Sequence, residues 1–175
     1  MDIFSLKPIT SKEFDAYYKL LEGDFCVAER KDYKNESRAL DNPMFSPSYI
    51  YHNDELVGYI CLWSFNDFLF VEHFAILEEK RNQHIGTGFL SEFLSDVSDL
   101  VILEVERPVD EITRSRIAFY EKVGFTVNPY DYIQPSYHPD NEEIPMYICS
   151  YNRDISPTEY HRFTAQIKND VYTFS

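Results

Sequence analysis

The feature that most constrains the fold is a strand, loop, helix and strand in succession at the middle of the chain. An apolar run at Phe68–Ile76 is followed by a polar loop that contains Gly86 and Gly88, and then by a helical stripe of apolar residues that ends at Val97. A second apolar run covers Leu100–Val105. Two strands joined through a helix lie parallel in one sheet with a right-handed crossover. We therefore expect an α/β (α+β) domain with a βαβ unit at its centre.

Shorter patterns predict the elements around this unit. Thr10 and Glu13 have capping-box spacing, which favours a helix that begins at Thr10. The segment Ser156-Pro157-Thr158-Glu159 adds proline at the first helical position and favours a C-terminal helix. The remaining predictions are strands at Tyr49–Tyr51, Leu56–Trp63 and Ile144–Tyr151, a helix at Glu111–Val123, and one strand with a long loop within Thr126–Pro145. We expect a domain at 1–151 with a helical extension packed on it at 152–175.

Composition excludes several classes of protein. Sixteen basic and 30 acidic residues give a net charge of −14, which opposes general nucleic-acid binding and docking on anionic lipid. The hydrophobic content of 44% supports a folded core, yet no apolar run approaches the roughly 20 residues of a membrane span. The N-terminal segment lacks a signal-peptide pattern, and the three cysteines are far apart with no CxxC motif. We expect a cytoplasmic protein with reduced cysteines and no metal site.

The loop between the first strand and the helix has the properties of an anion-binding site. Gly86 and Gly88 allow the backbone to bend tightly and approach a ligand closely. The first turn of a helix presents unpaired N–H groups and a partial positive charge, to which Lys80 and Arg81 add. A phosphate or pyrophosphate is the expected ligand. The dinucleotide fingerprint fails because Ser91 replaces its third glycine, and the P-loop motif is absent.

Four segments together resemble one enzyme family. Gln83-His84-Ile85-Gly86-Thr87-Gly88 fits Q/R-x-x-G-x-G/A, and Ala118–Phe125 closely resembles A-x-x-Y-E-K-x-G-F, with one residue fewer between the alanine and Tyr120. Glu72–Ile76 and Leu103–Val105 stand where the family has its two central strands. The chain is thus similar to the GNAT (Gcn5-related N-acetyltransferase) superfamily, in particular to bacterial members. The resemblance extends from about residue 6 to 151, and its specific part lies between residues 72 and 125.

This resemblance implies a fold and a donor. The GNAT fold has a mixed, mostly antiparallel central sheet flanked by helices, in which two parallel central strands splay apart and hold acetyl-CoA in the gap. By analogy the backbone of Phe74, Ala75 and Ile76 would pair with the pantetheine arm of coenzyme A, and Arg81 would add a charge contact. The pyrophosphate would bind the backbone N–H groups of the loop residues Gln83, His84, Ile85, Gly86, Thr87 and Gly88.

The resemblance also implies direct transfer of an acetyl group to an amine. Tyr120 matches the tyrosine that protonates the departing coenzyme A sulfur, and a phenol keeps its proton at neutral pH. Two glutamates are alternative bases, Glu104 by analogy with ribosomal-protein acetyltransferases and Glu72 on the strand before the loop. Alternation would place Glu72 on one strand face with Phe70 and Phe74 and would place His73, a third option acting through a water, on the opposite face. A bulge in this strand would reset that order.

Two positions depart from the family pattern. Phe70 stands where histone-type members have a glutamate that acts as base, so that base is missing here. Thr113 stands where many members have an asparagine that contacts the cofactor, which leaves that contact in doubt.

The acceptor is less well defined than the donor. The segment Tyr130–Glu143 is aromatic and acidic, with carboxylates at Asp131, Asp140, Glu142 and Glu143. Such a surface would attract a cationic amine, on a small molecule or a peptide. Two other functions stay open: a non-catalytic acyl-CoA-binding module on the same scaffold, and an interaction protein whose glycine loop is incidental. Because family members are often dimers, a homodimer is a further option.

Overall fold

A computed structural model describes residues 3–173 of the chain, and its centre is a seven-stranded mixed sheet. The strand order is β1-β2-β3-β4-β5-β7-β6, and only β4 and β5 are parallel. The strands are β1 (Phe4–Pro8), β2 (Phe45–His52), β3 (Glu55–Ser64), β4 (Phe68–Ile76), β5 (Leu100–Glu106), β6 (Phe125–Gln134) and β7 (Ile144–Tyr151). The helices are α1 (Phe14–Asp24), α2 (Tyr33–Ala39), α3 (Ile85–Asp96), α4 (Glu111–Lys122) and α5 (Pro157–Val171). Over residues 3–173, no helix has the length and apolar character needed to cross a membrane.

The two parallel strands separate as predicted. They are joined through α3, and they pair only from Phe68 to Val71 on β4 and from Leu100 to Leu103 on β5. After these residues β4 continues to pair with β3, while β5 pairs with β7. The gap between β4 and β5 is therefore open toward their carboxyl ends, as in the GNAT fold.

A bulge in β4 changes which side chains share a face. Cys61 of β3 pairs with His73 and the next residue pairs with Val71, so Glu72 is an extra residue in β4. Glu72 and His73 consequently lie on the same side of the sheet, where both contact Tyr137. The prediction that His73 faces away from Glu72 is wrong. The grouping of Phe74 with Glu72 is also wrong, because Phe74 packs in the core on the other side.

Helices cover both faces of the sheet. On one face, apolar side chains of α1, α2 and α5 pack on strand residues such as Phe70 and Ile102. On the other face, α3 and α4 pack on residues such as Val71 and Leu103. Side chains alternate between the two faces along β5, since Ile102 and Leu103 lie in different cores. The C-terminal helix is part of the first core through Phe163, as well as Ile167 and Val171.

The N-terminal part of the chain differs from the prediction. Helix α1 begins at Phe14 because residues 11–13 form a turn, although Thr10 still donates its backbone N–H to Glu13 at 3.1 Å. The sequence patterns described above predicted neither β1 nor α2. At the other end, α5 has the predicted capping box, in which the Ser156 hydroxyl accepts from the N–H of Glu159.

Candidate active site

A cavity of about 510 Å³ lies where β4 and β5 separate. Residues 71–76 of β4 and 103–106 of β5 form two of its sides, and residues of the flanking helices, of the loop after β4 and of the β6–β7 hairpin complete it. These others are Asp24, Phe25 and Glu29 at and after the end of α1, Arg81 after β4, Ser115, Arg116, Phe119 and Tyr120 on α4, and Gln134, Tyr137 and Met146 on or between β6 and β7. The structure thus brings together all three predicted catalytic residues, Glu72, Glu104 and Tyr120. Among residues 3–173, no three His, Cys, Asp or Glu side chains are grouped to hold a metal.

The carboxylate of Glu72 is buried and held by three donors. The Lys31 ammonium and the Tyr137 hydroxyl, the latter at 2.9 Å, donate to Oε1, and the Trp63 indole N–H donates to Oε2 at 2.6 Å. Burial is the largest single effect and raises the pKa of this carboxyl, but the Lys31 ammonium, its hydrogen bond and the other groups around the carboxylate together outweigh burial and lower the pKa of Glu72. Glu72 is therefore a charged member of a buried ion pair and a weak proton acceptor.

Glu104 has the opposite electrostatic setting. Its carboxylate accepts hydrogen bonds from the Tyr132 hydroxyl, from the Gln134 amide at 2.7 Å and from the Tyr172 hydroxyl at 2.6 Å. Burial raises the pKa of Glu104 in spite of these donors, which act in the other direction. A carboxylate with a raised pKa accepts a proton more readily. Of the two glutamates, Glu104 therefore has the higher affinity for a proton.

Tyr120 enters the cavity from the other side of the sheet. It lies on α4 and packs in the core formed with α3. Burial raises the pKa of Tyr120 to about 12, so the phenol holds its proton throughout the neutral range. Within the described part of the chain its hydroxyl makes no hydrogen bond, which leaves this proton available to a group in the cavity.

His73 presents a ring nitrogen without a partner. Its Nε2 lies 2.8 Å from the carbonyl oxygen of Glu29, and because a carbonyl only accepts, Nε2 carries the hydrogen. In the neutral ring Nδ1 is then a bare acceptor. Nδ1 is buried, in a residue that is only 3% exposed, and it has no hydrogen-bond partner among residues 3–173.

The start of α3 has the backbone geometry that the predicted anion cradle would need. The helix follows His84, which has φ 60° and makes no side-chain cap. The N–H of Gly88 bonds to the carbonyl of His84 at 2.9 Å, but those of Ile85, Gly86 and Thr87 have no acceptor among the described residues. Unpaired N–H groups at a helix N-terminus fit a pyrophosphate. A Cβ at Gly86 would lie 3.3 Å from Ile76 Cγ1, so a larger residue would crowd the end of β4.

Arg81 joins the end of β4 to the end of α1. Its Nε donates to the carbonyl of Ile76 at 2.8 Å, and its guanidinium pairs with Asp24 at 2.7 Å. Asp24 also accepts from the Tyr59 hydroxyl at 2.9 Å. This arrangement places Arg81 at the cavity wall, and it already occupies one of the carbonyls expected to pair with the pantetheine arm. The predicted contact between Arg81 and the cofactor stays a prediction.

The acidic side chains of the β6–β7 segment lie elsewhere. Their carboxylates, at Asp131, Asp140, Glu142 and Glu143, are exposed and do not line the cavity. The tyrosines of the same segment point inward instead, with Tyr132 donating to Glu104 and Tyr137 to Glu72. The expectation that this acidic surface faces the acceptor is therefore wrong. The acidic character of the cavity comes from α1, the turn after it, β4 and β5.

Comparisons with known proteins identify the family. The model of the acetyltransferase (GNAT) family matches residues 11–125. The chain belongs to the GNAT acetyltransferase family. A GNAT-family protein from Bacteroides thetaiotaomicron is 30% identical, with 98% of this chain and 99% of the other covered and a TM-score of 0.91. No curated protein matches the sequence.

Two more distant structures share the GNAT fold. Arabidopsis thaliana Naa50, in complex with the bisubstrate analogue CoA-Ac-MVNAL, is 21% identical over 86% of this chain and 99% of its own, with a TM-score of 0.58. A Bacillus subtilis acetyltransferase in complex with CoA is 14% identical over 88% of this chain and 100% of its own, also with a TM-score of 0.58.

Several residues of this GNAT site were not found from the sequence. Lys31, Trp63 and Tyr172 reach the two glutamates from α5 or from segments before β4, and no local pattern connects such distant positions. Thr113 does not enter the cavity. It forms the capping box of α4 with Asp110 and is buried there, so it does not replace the family's asparagine as a cofactor contact.

Proposed function

We propose that this GNAT protein transfers the acetyl group of acetyl-CoA directly to a primary amine of a small molecule or peptide. One observation carries the proposal. Glu104, a half-buried carboxyl group with a raised pKa, and Tyr120, a half-buried phenol that keeps its proton, line one cavity from the two sides of the sheet. Amine acetylation needs a proton acceptor for the incoming ammonium and a proton donor for the departing thiolate, and these two groups have those properties.

The donor side of the proposal rests on backbone groups. After Val71, β4 has no partner on the side of β5, so the edge formed by Phe74, Ala75 and Ile76 is open to the pantetheine arm. The N–H groups of Ile85, Gly86 and Thr87 are free to bind pyrophosphate oxygens. Both features favour a coenzyme A thioester that enters along β4 and ends in the cavity.

The chemistry follows from the residues on each side. Glu104 takes a proton from the ammonium, directly or through a water, and the free amine attacks the thioester carbon. A C–N bond forms and the C–S bond breaks, Tyr120 gives its proton to the sulfur, and the second proton of the attacking nitrogen passes through water to the Tyr120 phenolate. Glu72 does not move a proton in this scheme. Its ion pair with Lys31 holds it ionised, so its role is to fix Tyr137 and Trp63 around the acceptor end of the cavity.

The test is a steady-state assay of thiol release from acetyl-CoA with a panel of primary amines, in which mass spectrometry identifies the acetylated product. We expect amine-dependent release that falls at least 100-fold in Glu104→Gln. Glu142→Gln is the matched control, because Glu142 is exposed and lies outside the cavity. Binding of coenzyme A without turnover of any amine would instead favour the non-catalytic module.

A further inference from the structure

The spacing of acidic groups on β5 sets a length for the acceptor. Glu104 and Glu106 are two positions apart on β5 and line the same cavity, so both point to one side of the strand. Two residues of a strand span about 6.6 Å. Glu104 is the expected base, so Glu106 lies about 6.6 Å along the strand from the residue that would bind the reacting nitrogen.

Glu106 shares its position with a second carboxyl group. Glu29, in the turn Val27–Glu29 after α1, is in hydrogen-bonding contact with Glu106, and burial together with this neighbour raises the pKa of Glu106. Arg116 lies 3.4 Å from Glu106, whereas Glu29 has no ion-pair partner among residues 3–173. Two carboxyl groups that meet with one partly exposed arginine beside them can accommodate a further positive charge.

An independent observation at the same place also points to a ligand. His73 lies on the cavity next to Glu29, whose carbonyl fixes its tautomer. Its Nδ1 is a buried acceptor without a donor in the described structure. Leaving such a group unpaired costs about 1–3 kcal/mol, so a ligand N–H that enters the cavity would relieve it.

We propose that the acceptor is a short linear diamine, with one nitrogen at Glu104 and the second held as an ammonium by Glu29 and Glu106. This inference rests on the proposed function for the role of Glu104. An extended chain advances about 1.25 Å per bond for bonds of about 1.5 Å, so a carboxyl spacing near 6.6 Å fits a diamine with four or five methylene groups. The apolar side chains of Phe25 and Met146 line the cavity and suit those methylenes.

Acidic side chains near the cavity that already form an ion pair do not compete for this ligand. Glu72 is neutralised by Lys31, and Asp24 is neutralised by Arg81. The carboxyls that remain are those of Glu29, Glu104 and Glu106, against which Arg116 supplies one positive charge. When an ammonium displaces the proton that Glu29 and Glu106 share in their contact, the three carboxylates exceed Arg116 by two charges, which a diamine balances and a monoamine does not.

Isothermal titration in the presence of coenzyme A tests the inference without requiring turnover. The ligands are 1,4-diaminobutane and 1,5-diaminopentane, with butylamine and pentylamine as monoamines of equal length, and ethylenediamine and 1,8-diaminooctane as diamines of other lengths. We expect the four- and five-carbon diamines to bind at least ten-fold more tightly than either comparison group. The same ratio is expected in kcat/KM from the thiol-release assay.

Variants at the distal carboxyls assign the selectivity. Glu29→Gln and Glu106→Gln should each reduce the preference for diamine over monoamine toward one, whereas Glu143→Gln, at an exposed position off the cavity, should keep it. Glutamine at position 29 retains an acceptor for the N–H of Cys26, so the turn is preserved, and a thermal melt checks the fold. Equal binding of diamines and monoamines would overturn the inference, with or without turnover. Selective diamine binding without turnover would keep it and remove the proposed function.

Discussion

The hydroxyl of Tyr172, at the end of α5, donates a 2.6 Å hydrogen bond to Oε2 of Glu104 in β5. Tyr172 is buried, and its ring also packs on that of Tyr137 in a tilted arrangement with centroids 4.7 Å apart. The match to the family model ends at residue 125, so Glu104 lies within the matched region and Tyr172 lies beyond it. The C-terminal helix therefore bears directly on the proposed base.

Removal of this hydroxyl should change the pH dependence of the reaction. The hydrogen bond from Tyr172 lowers the pKa of Glu104, in opposition to burial, so Tyr172→Phe should raise that pKa further. A hydrogen bond to a charged group is worth about 1.5–3 kcal/mol, which corresponds to a shift of about one to two pH units. We expect the acidic limb of the kcat/KM profile to move to higher pH.

Tyr160→Phe is the matched control for this experiment. The Tyr160 hydroxyl also bonds from α5 to the sheet, but its acceptor is the backbone carbonyl of Asp131 at 3.2 Å. The control should leave the acidic limb where it is in the native protein. An unchanged limb in Tyr172→Phe as well would mean that Glu104 does not set it.

Glu104→Gln should separate activity from stability. Because its folded pKa is raised, Glu104 stabilises the fold in its protonated form, and this contribution is lost as pH rises above the unfolded value near 4.5. Glutamine resembles the protonated form at every pH. The variant should lose at least 100-fold in kcat, while its free energy of unfolding in urea should fall less between pH 5 and pH 8 than that of the native protein. A parallel fall in both proteins would contradict burial of the charge.

Glu72→Gln should lower the free energy of unfolding. It leaves the Lys31 ammonium buried, with the carboxylate of Glu36 3.9 Å away. Breaking a buried ion pair typically costs about 3–5 kcal/mol, and removing both partners costs much less. We expect the double variant Lys31→Met with Glu72→Gln to recover part of the loss in urea unfolding. If the double variant is as unstable as the sum of both single variants, the pair is not coupled.

The sequence predicted those parts of the site that depend on local pattern. Gly86 and Gly88 predict a loop that leads into a helix, and the two apolar runs on either side of it predict parallel strands. The contacts of Glu72 with Lys31 and of Glu104 with Tyr172 join positions 41 and 68 residues apart, and only the packed fold brings them together. The bulge at Glu72 is a third such feature, because it depends on pairing with β3 and reverses the faces of His73 and Phe74.

The two glycines of the donor loop should respond differently to substitution. A Cβ at Gly86 would lie 3.3 Å from Ile76 and 3.6 Å from Phe119, whereas one at Gly88 would meet Phe4 at an ordinary 3.5 Å. Gly86→Val should therefore displace the start of α3 and weaken coenzyme A binding by about ten-fold or more, and Gly88→Ala should stay within about three-fold. Calorimetric titration with coenzyme A measures both. Similar affinities for the two variants would place the pyrophosphate elsewhere.

Tyr120→Phe tests the proposed proton donor. Because its hydroxyl makes no hydrogen bond among the described residues, removing it should leave the melting temperature close to native. The kcat for acetyl-CoA should nevertheless fall by about 10²-fold, since the thiolate would leave without a positioned proton. A thioester with a more acidic thiol needs less protonation, so an acetyl thioester of that kind should recover much of the lost rate in the variant and gain less in the native protein. Equal gains in both proteins would show that Tyr120 serves only the core around α4.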